Sequence, residues 1–220
     1  MAALLERLPS RNRLRELSVA LAVLDVAMSP KDEPDERYFR FDPRDPSGVA
    51  LASMDNGQGD RYFIAFTDTA VFAWGFAHES PMNPFMRTPV AVWPGLLEGM
   101  PAHLGPLTRD ARFLIAGTFM ATAAFWSERG QPWRTGSATA PTDKPDADGA
   151  EELFELLLDG SHQAYARFAQ EYLVMSPSEA AVEAIYQSES LDPTILTELN
   201  PDAQYLDVRQ QVDAMGLFAP

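Results

Sequence analysis

Three consecutive residues, His78, Glu79 and Ser80, follow the apolar run Ala70–Phe76 and precede a proline-rich stretch. An imidazole beside a carboxylate and a hydroxyl is the material of general-base and nucleophilic catalysis. Polar groups set just after a buried strand are held rigidly by the sheet, which is where sites form. On extended backbone His78 and Ser80 share a face, with Glu79 opposite. A serine two residues from its own histidine does not meet it in triad geometry, where the base approaches from elsewhere in the fold. The chain also holds no G-x-S-x-G turn. The catalytic candidates are His78, Glu79 and Ser80. They compete with a plainer role, hydrogen-bonding neighbouring backbone to fix the connection that follows.

Two carboxylates from the preceding turn, Asp55 and Asp60, can join this block if the turn folds onto the strand end. With Trp93, a residue type enriched at interface anchors, they complete a binding set of Asp55, Asp60, His78, Glu79 and Trp93. Trp126 and Trp133 also sit at strand or loop ends, and packing is a competing use for all three. No metal and no cofactor is expected. His78, His103 and His162 are far apart, and none stands in an H-x-x-H setting. In the calcium-loop register Asp146, Asp148 and Glu155 fall at ligand positions, but Lys144 would be the first ligand. That segment reads better as a helix start, with Asp148 as cap and Glu151 and Glu152 complementing the dipole. Gly57 and Gly59 look like part of a phosphate loop, yet no Lys-Ser/Thr follows.

The elements that must position these residues can be read in order. Leu14, Leu17, Leu21, Leu24 and Met28 recur at helical spacing, which predicts a helix over Arg11–Met28, ending before Pro30. Arg11, Arg13 and Arg15 ahead of Leu17–Leu24 loosely mimic an export signal, but Asp25 ends that run. No run reaches the roughly 20 apolar residues that cross a bilayer. A cytoplasmic location is expected. After a charged linker, Lys31–Glu36, strands are predicted over Tyr38–Phe41, Val49–Met54, Arg61–Thr67 and Ala70–Phe76. Asn56-Gly57 marks a hairpin through the positive φ of a tight turn. Tyr62, Ile64 and Phe66 alternate with Phe63 and Ala65, so this strand is apolar on both faces and central.

The proline-rich stretch Pro81–Pro106 predicts a long connection with a short helix around Leu96–Leu104. In Thr118–Trp126 the alanines favour helix, whereas Phe119, Phe125 and Trp126 suit a strand; strand is the reading adopted. Beyond the polar linker Gly136–Gly149 come short helical stripes. These are Leu153 with Leu156 and Leu157, Tyr165 with Phe168, Ala169 and Tyr172, and Val182 with Ile185 and Tyr186. Ile195 with Leu199, and Tyr205 with Val208, Val212 and Met215, continue the pattern. The fold class is α+β: an antiparallel sheet packed by an N-terminal helix over 1–136, and a helical C-terminal lobe over 137–220 that packs on the sheet as one unit.

The 220 residues suffice for a sizeable core, at 46% hydrophobic. With 17 Lys+Arg against 32 Asp+Glu, the formal net charge is -15. Such a surface repels phosphate backbones, so nucleic acid is not an expected partner. A basic protein would be attracted, although an acidic balance also serves solubility alone. With no cysteine, disulfides and thiolate chemistry are excluded.

The ordered blocks ASMDNGQGDRYFIAF, GFAHESPMNP, WPGLLEGMP, TFMATAAFW, DADGAEELFELL, AYARFAQEYL and LNP resemble a family of uncharacterised bacterial proteins, over nearly the whole chain. More distantly, the Gly57-Gln58-Gly59-Asp60 turn, two strands and an aromatic residue before His-Glu are similar to the SUKH superfamily. Those are α+β proteins, many proposed as immunity proteins that bind and neutralise toxins. The superfamily's N-terminal proline-aromatic signature is not visible here. The closer family implies an acidic residue before the histidine, and this chain has Ala77, which favours a structural or binding role for the block. The function these features support is a non-enzymatic interaction module with an acidic surface for a basic protein partner. The alternative is a hydrolase or metal-dependent enzyme using the His78/Glu79 region.

Overall fold

The computed structural model describes residues 2–30, 36–45, 48–187 and 191–215. Residues 31–35 of the expected linker lie outside this set. In chain order, α1 is Ala2–Arg7 and α2 is Arg11–Met28. Strands β1 to β4 are Phe39–Asp42, Ala50–Asp55, Arg61–Phe66 and Ala70–Phe76. Strands β5 to β8 are Leu114–Ile115, Thr118–Phe119, Ala123–Glu128 and Arg134–Thr135. Helices α3 to α5 are Ala150–Leu153, Glu155–Asp159 and His162–Phe168, the last running into a π-helical turn at Ala169–Leu173. Helices α6 to α8 are Glu179–Tyr186, Pro193–Leu199 and Tyr205–Ala214. The mixture is α+β, as the residue pattern predicts. The chain forms two compact units, each discontinuous. One joins the residues up to Leu8 with Asp55–Glu155, and the other joins Pro9–Met54 with the residues from Leu156 onward. The boundary expected at 136/137 falls inside the first unit.

In the first unit β3, β4, β7 and β8 lie antiparallel in that order, with Tyr62 opposite Gly75 and Phe63 opposite Trp74. Alternation sends the two aromatic sets to opposite faces. On one face Phe154 stacks on Tyr62 and meets Phe125 edge-on, each at 4.8 Å between centroids. Gly75 makes room for it, since a Cβ there would come within 2.6 Å of Leu153 and 3.1 Å of Phe154. On the other face Phe113 packs against Phe63 and Trp74, at 4.9 and 4.8 Å. Every residue of β4 is buried, which fits a central strand covered on both sides.

The ambiguous segment 118–126 is not helical, but the strand adopted for it is broken: Thr118–Phe119 (β6) and the start of β7 at Ala123 belong to different sheets, with a bend at Thr122 between them. Thr118–Phe119 closes a hairpin through Ala116 (φ 50°) and Gly117 (φ 78°), and Phe125 and Trp126 lie buried in β7. The short helix expected over Leu96–Leu104 is not formed. Consecutive turns run through Gly95 (φ 83°) and Gly99 (φ 75°), and a single 3-10 turn follows at Ala102–Leu104. Left-handed Gly99 and the following Pro101 interrupt the expected span, and left-handed Gly95 stands just before it.

In the second unit Ser10 caps α2 by accepting from Arg13 N. The sequence predicts one apolar stripe, yet from Ala20 to Met28 every residue is buried. The helix packs along β1 and against α6, α7 and α8, so several faces are covered. Strand β1 pairs antiparallel with β2, from Phe39 opposite Met54 to Asp42 opposite Leu51, with Phe39, Phe41, Ala52 and Met54 buried. Asp25, which ends the apolar run in the sequence, is buried and accepts from Phe39 N at 3.0 Å. It pairs with buried Arg37 at 3.5 Å, and Arg37 also donates to Ser29 O (3.0 Å) and Gln211 Oε1 (2.7 Å). Asn200 Nδ2 donates to the carbonyls of Ala27 and Met28, satisfying the C-terminal end of α2.

Candidate functional site

The start of β3 lies beside the end of β4, because the register pairs Arg61 with Phe76. The residues just outside that pair, Asp60 and His78, are thereby brought together. Asp60 Oδ1 accepts from the His78 backbone N–H at 2.8 Å and lies 2.8 Å from His78 Nδ1. The turn that carries Asp60 is not the tight Asn-Gly pair expected. Asn56 keeps a negative φ, the positive values fall on Gly57 (68°) and Gly59 (108°), and the Asn56 side chain organises the loop. Its Oδ1 accepts from Gln58 N and Asp60 N, while its Nδ2 donates to Asp60 Oδ2. Both oxygens of Asp60 are thus committed. Glycine suits position 59 because its φ of 108° is one that other residues rarely adopt, and a Cβ there would also stand 3.3 Å from the His78 side chain.

The other candidates separate. Glu79 is exposed, with Oε1 3.8 Å from His78 Nε2. Ser80 is buried and its hydroxyl is spent twice, donating to Ala147 O at 2.7 Å and accepting from Met82 N at 2.9 Å. That proton is not free for transfer to an imidazole. Asp55 accepts from Gly57 N within its own loop (2.9 Å), and among the described residues it makes no bond to His78. Trp93 belongs to the far part of the proline-rich connection, with the Arg87 guanidinium 5.8 Å from its ring centroid. Beside His78 is a polar hollow of about 120 Å³, lined by Asp60, Glu79, Lys144, Asp146 and Glu152. It is below the roughly 300–1,000 Å³ of ordinary ligand pockets.

Asp146 in that lining supplies the side-chain acceptors at the start of α3, whose N-cap position is Gly149 rather than the expected Asp148. Its two carboxylate oxygens accept from Glu151 N (2.9 Å) and Glu152 N (3.1 Å), whereas Asp148, the expected cap, takes Ala150 N (3.1 Å). Gly149 at φ 74° follows Asp148, and it must be glycine because a Cβ would come within 2.4 Å of the Ala77 side chain. Burial pushes the Asp148 carboxyl upward, with the Asp146 charge adding to it and the Ala150 bond opposing it.

Two residues that sequence reasoning misses complete the arrangement. Thr122 Oγ1 accepts from Ala77 N (3.1 Å) and donates to Asp148 O (2.7 Å). Asn83 Nδ2 donates to His78 O (2.7 Å), and its Oδ1 accepts from Phe85 N (3.0 Å), capping a 3-10 turn over Pro84–Met86. A signal for Asn83 is present: an Asn followed by Pro is a helix-start pattern. Asp60, His78 and Asn83 therefore form a chain of bonds that fastens the base of the proline-rich loop. The loop's far limb is fastened by Ser137 N, which donates to Gly95 O (2.9 Å). Between these ties Phe85 is 52% exposed and Met86 73%, with Val90 also exposed.

No family model, curated protein or solved structure matches the chain.

The hydrogen bond to Asp60 holds the His78 imidazole above its ordinary pKa, helped by the Asp60 and Glu79 charges against slight desolvation. Burial would raise the Asp60 carboxyl, but bonds from the His78 backbone and ring and from Asn56 outweigh it and hold it low. A raised imidazole pKa means that folding favours the protonated ring. That stability is complete below about pH 6.5 and is lost as pH climbs through the higher folded value. The lowered carboxyl acts in the opposite range, giving stability that disappears as pH falls below about 4. The thermal midpoint of His78→Gln should therefore lie further below wild type at pH 6 than at pH 9. An equal gap at both would mean that the imidazolium contributes nothing.

Proposed function

We propose that the protein is a non-enzymatic interaction module whose partner is a basic protein. The observation that supports this best is the loop itself: its base is bonded through Asp60, His78 and Asn83, and it holds two large apolar side chains, Phe85 and Met86, in water. Pre-fixed apolar residues on a polar surface are interface anchors, because little conformational entropy is lost when they dock. The charge supports a basic partner, and its distribution adds detail. Residues 156–220 hold ten acidic residues against only Arg167 and Arg209, a field that speeds the approach of a cationic surface. The reading accords with the resemblance to immunity-type proteins, and action in the cytoplasm is part of it. Among the described residues no helix is long and apolar enough to cross a membrane.

The hydrolase alternative draws on His78 Nε2. The engaged Ser80 hydroxyl and the small hollow weigh against it, and His78→Ala is expected to lower the thermal midpoint rather than to remove a turnover. The interaction reading is tested by affinity capture from the source cell at low salt, with a Phe85→Asp/Met86→Asp variant in parallel. A basic protein should be retained by wild type and released as salt rises from about 0.05 to 0.5 M. The double variant should bind it about 30-fold more weakly or worse. No retained protein at low or moderate salt would count heavily against the proposal.

A further inference from the structure

The second unit contains a cavity of about 520 Å³. Its wall is apolar: Phe41 and Pro43 from the end of β1, Leu51 from β2, and Ala214 and Met215 from the end of α8. The size falls within the ~300–1,000 Å³ of small-molecule sites.

Its polar lining is asymmetric. Arg37 is consumed by Asp25, Ser29 and Gln211, and Gln211 is consumed in turn by Arg37 and the Pro30 carbonyl. Arg40 is different. It sits opposite Ser53 in the β1–β2 ladder, on the face away from Phe39 and Phe41. Its Nε is sealed from solvent without a hydrogen-bond partner, and among the described residues its guanidinium makes no ion pair. Arg40 therefore places, among the described residues, a guanidinium without a carboxylate partner beside an apolar hollow. The carboxylate of the same lining, Asp42, is exposed and its Oδ1 accepts from Arg44 N instead. A buried donor without an acceptor is costly, and a planar carboxylate fits the guanidinium fork with two parallel bonds.

We infer that this cavity binds a small amphipathic monoanion, a carboxylate attached to a short hydrocarbon chain or ring, with Arg40 gripping the carboxylate and the wall formed by Leu51, Pro43 and Met215 covering the tail. A single free guanidinium, with Asp42 on the rim, suits one negative charge and disfavours a doubly charged phosphate.

Isothermal titration of the full chain with butyrate, hexanoate, octanoate and neutral octanamide tests this. Octanoate should saturate one site. Butyrate should bind at least 10-fold more weakly for want of tail contact, and octanamide at least 10-fold more weakly for want of charge. Arg40→Gln should weaken octanoate at least 10-fold with an unchanged thermal midpoint, and Arg40→Lys should fall between. If Arg40→Gln loses its fold, Leu51→Trp, which fills the wall and keeps the guanidinium, must also abolish octanoate binding. Absence of saturable octanoate binding, equal affinity for butyrate and octanoate, or undiminished binding by Arg40→Gln would each overturn the inference.

Discussion

Replacing Asp25 with alanine is expected to remove about 3–5 kcal/mol of stability, the range found when one partner of a buried ion pair is deleted. The loss comes less from the attraction forgone than from what remains. Arg37 is buried to 3% exposure, and without Asp25 it would lose the carboxylate that faces it while keeping its bonds to the Ser29 carbonyl and Gln211. Phe39 N would lose its acceptor as well, leaving the first residue of β1 unsatisfied. The sign reverses for a paired replacement. Asp25→Leu with Arg37→Met removes both charges and fills similar volume, a change that is commonly neutral or stabilising. Urea denaturation of the four proteins of this cycle measures the coupling directly. A single-variant loss under about 1 kcal/mol would mean that Arg37 finds adequate partners without Asp25.

Gly136→Ala is the second change with a large expected effect, about 2–3 kcal/mol or more. A Cβ at Gly136 would stand 1.9 Å from Gly95 O and 2.5 Å from Leu96 O. These are main-chain atoms, so no rotamer change relieves the overlap. The segment around Gly95 must move, breaking the bond from Ser137 N to Gly95 O. Gly75→Ala makes a useful comparison. Its nearest neighbour is the tip of Leu153 at 2.6 Å, a flexible side chain that can swing aside, so the cost should be smaller. Thermal unfolding ranks the two, and amide exchange at Ser137 reports the broken tie. Unaltered Ser137 exchange in Gly136→Ala would show that the two strands of loop are not held in contact.

The parts of this fold legible in the sequence are those with a strict period. Helix α2 and strand β4 have the predicted limits because leucines at helical spacing and an unbroken apolar run leave few alternatives. The meeting of Asp60 and His78 is legible for the same reason. Antiparallel pairing of β3 with β4 forces the residues just outside the ladder together, whatever the turn between β2 and β3 does in detail. Contacts between distant, aperiodic residues are not legible. Asp25 and Arg37 are separated by a helix end and a linker, and Gly95 and Gly136 by a 3-10-rich stretch. The Asp146 carboxylate reaches Glu151 N and Glu152 N from a backbone with a left-handed φ of 50°, which no composition rule announces. The engagement of the Ser80 hydroxyl is hidden in the same way, because its acceptor, Ala147 O, lies 67 residues along the chain. The acidic bias of residues 156–220, by contrast, is readable from a simple charge count along the sequence.

The interleaved connectivity also limits how the molecule can be dissected. Because the chain leaves each compact body and later returns to it, no continuous fragment carries either one whole without part of the other. A chain ending at residue 136 would lack Phe154, which lies against Tyr62 and Phe125, while retaining α2 stripped of α6, α7 and α8. Such a fragment should be recovered as an insoluble or protease-sensitive product. Because the four segments alternate along the chain, circular permutation leaves them interleaved; separating the two bodies would instead require splicing, with Leu8 linked to Asp55 for one and Met54 linked to Leu156 for the other.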